Sequence, residues 1–85
     1  MKRFDVTFTV SVLLTVNDED ALDRVQTEEW RNSLYDLDEK GAVEMLARCI
    51  GIQGWRLSNL DGWADMPDEA VTALTEVEFE GYSST

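Results

Sequence analysis

Histidine is absent from this 85-residue chain, and cysteine and proline occur once each, as Cys49 and Pro67. Without histidine the side chain that most readily exchanges protons near neutral pH is missing, which counts against general acid–base catalysis. One Cys and no His cannot build a zinc site, nor can one Cys form a disulfide framework within a chain. Cations are scarce as well. Seven Lys and Arg stand against 18 Asp and Glu, a formal charge of −11. Neutralising phosphates needs clustered Lys and Arg, so no direct nucleic-acid contact is expected, and an anionic membrane surface is disfavoured on the same ground. No apolar run approaches the length of a membrane span. After Met1-Lys2-Arg3, the residues Asp5, Thr7, Thr9, Ser11 and Thr15 interrupt the apolar stretch, and no small-residue cleavage site follows. A signal peptide is therefore not expected, and the expected location is cytoplasmic.

Apolar residues make up 44% of the chain, too many for a disordered acidic tail. The length allows one domain, residues 1–85, with a small core.

Period-two patterning dominates residues 4–16. Phe4, Val6, Phe8, Val10, Val12, Leu14 and Val16 hold every even position, with Asp5, Thr7, Thr9, Ser11, Leu13 and Thr15 between them. This predicts one long strand with a buried face, bent or bulged somewhere along its length. Asn17 and Asp18 suit a helix N-cap, and the acids after them suit the positive end of the helix dipole. Ala21, Leu22 and Val25 follow at helical spacing. Trp30 and Leu34 lie on a drifted face, so the helix either bends or breaks near Thr27 with that residue as a new cap. Asp36-Leu37-Asp38-Glu39 resembles a capping box. Val43, Leu46, Ala47 and Ile50 then predict a second helix over residues 37–50, stopped by Gly51. Trp55 and Leu57 alternate with polar residues, which predicts a short strand near 54–60 before the Asp61-Gly62 turn. Pro67 starts a turn or one helical turn. Residues 71–80 alternate again, and residues 81–85 are expected to fray.

Leu13 and Leu74 are the apolar exceptions on two otherwise polar strand faces. Pairing them antiparallel gives residue pairs that sum to 87, with Phe8 opposite Phe79 and Val10 opposite Val77 on the buried face. The expected fold is α+β: a small two-layer sandwich with an antiparallel sheet of about three strands, in the order β-α-α-β-β, and two helices packed on one face. A right-handed parallel crossover is the rival topology.

No catalytic residues, cofactor or metal site are expected. Asp18-x-Asp20 and the Asp61–Asp65 stretch do not match the calcium-loop pattern. Cys49, with no His partner, reads as an inert core thiol. Three acidic groups remain, one around residues 18–29, one over 61–69 and one on the last strand. Glu76, Glu78 and Glu80 project from one strand face about 6.6–6.8 Å apart. Such a row can imitate a phosphate backbone and engage the Arg and Lys of a nucleic-acid-binding protein. The expected function is a non-enzymatic acidic protein-binding module whose partner has a basic surface, and a nucleic-acid-mimicking inhibitor or regulator is its sharpest form. The candidate partner-binding residues are Glu76, Glu78 and Glu80, then Asp18, Glu19, Asp20 and Asp23, with Trp55 and Trp63 as hydrophobic anchors. In size and charge the chain is similar to the DNA-mimic inhibitors of phages and mobile elements, a likeness that covers no motif. It implies a phage or mobile-element origin and a host cytoplasmic location. The alternative is a structural or oligomerising accessory protein whose acids serve only solubility, with a homodimer formed through a strand edge or through Trp55 and Trp63.

Overall fold

The structure, a computed structural model, describes residues 1–34 and 36–84, the side chain of Ser33 excepted. Strand β1 spans Phe4–Val16, as the alternation requires. It pairs antiparallel with β2, Val71–Ser84. From Phe8 to Val16 the partners follow the expected register, including Phe8 with Phe79, Val10 with Val77 and Leu13 with Leu74. A bulge is present, but on β2 rather than on the long first strand where it is expected. The register shifts between Thr7 and Phe8, where Thr7 pairs with Gly81 and Phe8 with Phe79, leaving Glu80 as the extra residue. Ser83 and Ser84 do not form a loose tail but pair with Asp5 and Phe4. Thr85 lies outside the described residues.

Residues 17–34 and 36–70 fold as a helical base at one end of this ribbon. Helix α1, Asp20–Asp23, continues as a tighter turn through Gln26 and ends at Thr27. The chain breaks there rather than bending. The Thr27 hydroxyl accepts from the Trp30 N–H at 3.2 Å and caps α2, Glu28–Ser33. Helix α3 spans Glu39–Leu46 and widens into a π-helical segment, Ala47–Ile52. Its cap is Asp38 rather than Asp36, with Oδ1 accepting from Gly41 N–H at 2.7 Å.

The expected third strand is not formed, so the sheet has two strands. Residues 57–70 wind instead through successive turns in which Leu60, Trp63, Met66 and Ala70 each donate a backbone N–H to the carbonyl three residues earlier. Such turns bring every third side chain to one side. Leu57, Leu60, Trp63 and Met66 are all buried there, together with Ala21, Val25, Trp30, Ala42, Leu46, Ala70 and Val71. Asp68 ties the two ends of the winding together, its carboxylate accepting from the backbone N–H and the hydroxyl of Ser58.

The two-layer sandwich with two helices on one face is not formed either. The widened end of α3 packs on both strands, but it covers the half of the ribbon next to the base. Val12, Leu14 and Val16 are half-buried, while Phe4, Val6, Phe8 and Val10 are exposed. The molecule is correspondingly elongated, 53 × 25 × 20 Å.

Gly51 is not a helix stop. It lies where the helix crosses the ribbon, and a Cβ built there would sit 2.6 Å from Val12 Cγ1. Thr75 Oγ1 donates to its carbonyl at 2.7 Å. In a free helix, Gly→Ala stabilises by about 1 kcal/mol. At this crossing the sign should reverse, with Gly51→Ala destabilising by about 1–3 kcal/mol through overpacking. Thermal unfolding checks this, and a raised Tm would contradict the close approach.

Candidate protein-interaction ribbon

Strand alternation gives the ribbon two chemically distinct faces. One face carries Phe4, Val6, Phe8 and Val10 from β1, with Val77, Phe79 and Tyr82 from β2, and no charged residue among them. The Phe8 and Phe79 rings meet edge to face, 5.8 Å between centroids, and Phe4 lies 6.0 Å from Tyr82. These side chains are stacked on one another but not covered. Their exposure runs from 44% at Val10 to 67% at Tyr82. The sequence reading placed Phe8, Phe79, Val10 and Val77 in the core. The register is as expected, but the helical base is too short to reach them.

The opposite face is polar. Glu76 stands across from Ser11 and Glu78 across from Thr9. Glu80 is held to this face despite the bulge, because its carboxylate accepts from the Thr9 hydroxyl at 2.7 Å. All three glutamates are exposed. The Leu13–Leu74 pair sits on this face nearer the base, also exposed. Arg24 pairs with Asp20 and Asp65, and Arg48 with Glu44, away from this glutamate row.

The other predicted site residues are not gathered with the glutamate row. Asp18, Glu19, Asp20 and Asp23 lie in the base around α1, and two of them have structural duties. Asp18 Oδ1 accepts from the Asp20 N–H at 3.0 Å, and Asp20 pairs with Arg24 at 2.6 Å. Glu19 and Asp23 are exposed. Trp63 is no anchor. It is fully buried, its indole N–H donates to the Ala21 carbonyl at 2.9 Å, and its ring lies 4.8 Å from that of Trp30. Gly62, at φ +97°, turns the chain beneath the Trp30 ring where a side chain would collide. Trp55 is exposed, beside Arg56 in a shallow groove with Gln53, Gly54 and Asn59. Cys49 is half-buried against the core.

A groove of about 520 Å³ runs past Asp20, Arg24, Thr27, Trp30, Leu34 and Asp65. Arg24 is already engaged there. It donates to Asp20, to Asp65 and to the Gly62 carbonyl. Its hydrogen bond to Asp65 raises its pKa, and the same bond lowers that of Asp65. Asp65 thus serves as a strut between the turn that continues α1 and the winding segment, as Asp68 does within that segment.

No family model, curated protein or solved structure matches this chain.

Alternation alone does not reveal Phe4, Val6, Phe8, Val10, Val77, Phe79 and Tyr82 as surface groups. Their signal was the ratio of ribbon length to helix length, since a strand of 13 residues spans about 44 Å and a helix of 14 residues only about 21 Å.

Asp65 and Asp68 both titrate below the ordinary carboxylate range. Asp65 is lowered by its hydrogen bond to Arg24 and Asp68 by its bonds to Ser58. A depressed folded pKa stabilises above the unfolded value of about 3.9, and that gain is lost as pH falls through the folded value. Acidification also relieves the repulsion among the acids, 18 in the parent and two fewer in the variant, a diffuse contribution that the two share almost entirely. Asp65→Asn/Asp68→Asn should therefore narrow the difference in urea midpoint between pH 7 and pH 2.5. An unchanged difference would contradict the strut role.

Proposed function

We propose that this chain is a non-enzymatic, acidic protein-binding module whose polar ribbon face receives a partner with a basic surface. The observation that carries this is the placement of Glu76, Glu78 and Glu80 on one exposed ribbon face, away from the helix ends and ion pairs that account for Asp18, Asp20 and Asp65. Carboxylates held on a paired strand are partly preorganised, so less side-chain and backbone freedom is lost on docking. Their spacing suits successive Arg and Lys contacts of the kind made to a nucleic-acid backbone. The sharpest form of the proposal is an inhibitor or regulator that occupies the nucleic-acid site of its partner, working in the cytoplasm of a phage-infected or element-bearing host. Trp55, exposed beside Arg56, is the apolar anchor that remains after the burial of Trp63.

The test is capture from the native host by the immobilised chain. A basic, nucleic-acid-binding partner should be held at low salt, released as salt rises through several hundred millimolar, and displaced by nucleic acid. Glu76→Lys/Glu78→Lys/Glu80→Lys should lose at least about tenfold in affinity, the cost of about 1.4 kcal/mol, with near-ultraviolet circular dichroism of the Trp30–Trp63 pair unchanged. Capture that ignores both salt and the charge reversal would contradict the proposal.

A further inference from the structure

The apolar ribbon face has no role in that reading, and its size demands one. Phe4, Val6, Phe8, Val10, Val77, Phe79 and Tyr82 leave on the order of 600–700 Å² of side-chain surface exposed at ordinary residue sizes. That is at or above the largest apolar patch of a typical monomer, about 300–600 Å². It approaches the roughly 800 Å² that each partner contributes to a standard stable interface. A lone two-stranded ribbon is at best marginally stable in water, yet this one remains paired out to Phe4 and Ser84, well beyond the base.

We infer that the ribbon is covered by the same face of a second copy, so that two ribbons form a four-stranded, face-to-face sandwich in a two-fold dimer. Three observations favour a second copy as the occupant. First, the patch is about the size that one self-complementary interface needs, and an isologous contact uses the same patch twice. Second, its side chains alternate in bulk along β1, in the order Phe4, Val6, Phe8 and Val10. The ring pair Phe8–Phe79 is next to the small pair Val10–Val77. An antiparallel copy can seat large side chains over small ones, as facing sheets interdigitate. Third, the charge is correctly disposed. For a chain of −11, association is opposed by repulsion. This face carries no charge, and stacking it leaves Glu76, Glu78 and Glu80 of both copies on the outer surfaces. Those outer surfaces are separated by more than the roughly 10 Å between stacked sheets, beyond the Debye length of about 8 Å at physiological salt. The contact is distinct from the strand-edge and tryptophan interfaces expected from sequence. Trp63 is buried within its own chain.

The inference does not rest on the acidic-face reading, and salt separates the two. Dimer formation should strengthen with salt as repulsion is screened, whereas capture of a basic partner should weaken. Sedimentation equilibrium of the full chain at about 50 µM in ~50 and ~500 mM NaCl, concentrations spanning weak to strong screening, should show a dimer that tightens in the higher salt. Phe8→Thr/Phe79→Thr keeps β propensity but removes the ring pair. It should weaken dimerisation by about 100-fold, a hot-spot loss, while the Trp30–Trp63 circular dichroism of the base persists. If that signal is also lost, Val10→Thr/Val77→Thr, nearly isosteric, gives the same reading at a smaller fold-change. Glu78→Thr on the opposite face should leave the dimer intact. A parent chain that stays monomeric in both salts overturns the inference, even if it still captures a basic partner. So does a dimer indifferent to both threonine pairs, which would be held by a strand edge.

Discussion

The antiparallel pairing of β1 with β2 is the interaction on which the rest of the molecule depends. It brings together the two ends of the described chain, Phe4 against Ser84, and it makes everything between Val16 and Val71 a single long connection that must fold upon the ribbon. Backbone hydrogen bonds of Asn17 and Asp18 to the Ala70 carbonyl, with the Asn17 side chain on the Glu69 carbonyl, close that connection at its root. The base therefore starts from fixed ends, which lowers the entropy lost in ordering it.

What the base can do is limited by its size. Its core is a few aliphatic residues around the Trp30–Trp63 pair, and one helix crosses the sheet at a glycine because only a bare backbone fits between Val12 and Thr75. That crossing buries the root of the ribbon. Beyond it the same alternation of Phe and Val continues with nothing above it. The result is a protruding ribbon with an apolar side and a polar side that carries the three glutamates. A partner-binding acidic surface and a self-associating apolar surface, as proposed above, would thereby fall on opposite faces of one element.

The sequence was most legible where a local pattern and a global one agreed. The bounds of β1 follow from alternation alone, and the register follows from the Leu13–Leu74 match, because a one-residue slip would turn every side chain over. The Thr27 break was legible as one of two alternatives, and its hydroxyl cap decides it. The segment after Gly54 was misread as a strand because Trp55 and Leu57 alternate. The stronger signal was the three-residue spacing of Leu57, Leu60, Trp63 and Met66, a period belonging to successive tight turns. Exposure was the least legible property. Alternation says which side chains share a face, but not whether anything is long enough to cover it, so Phe8 and Phe79 are correctly paired yet lie on the surface. For the candidate site, the glutamate row was readable from spacing, whereas the fates of Asp20, Asp65 and Trp63 depended on contacts with residues distant in sequence.

In the proposed dimer the outer ribbon is completed by a surface outside its own chain. Amide hydrogen exchange, followed residue by residue over a range of protein concentrations, tests it most directly. Amides near Val12, Leu14 and Ala73 should be protected at every concentration, while those of Val6, Phe8, Val77 and Phe79 gain protection as concentration rises. Outer-ribbon amides protected as strongly as the root in a dilute, monomeric sample would contradict it.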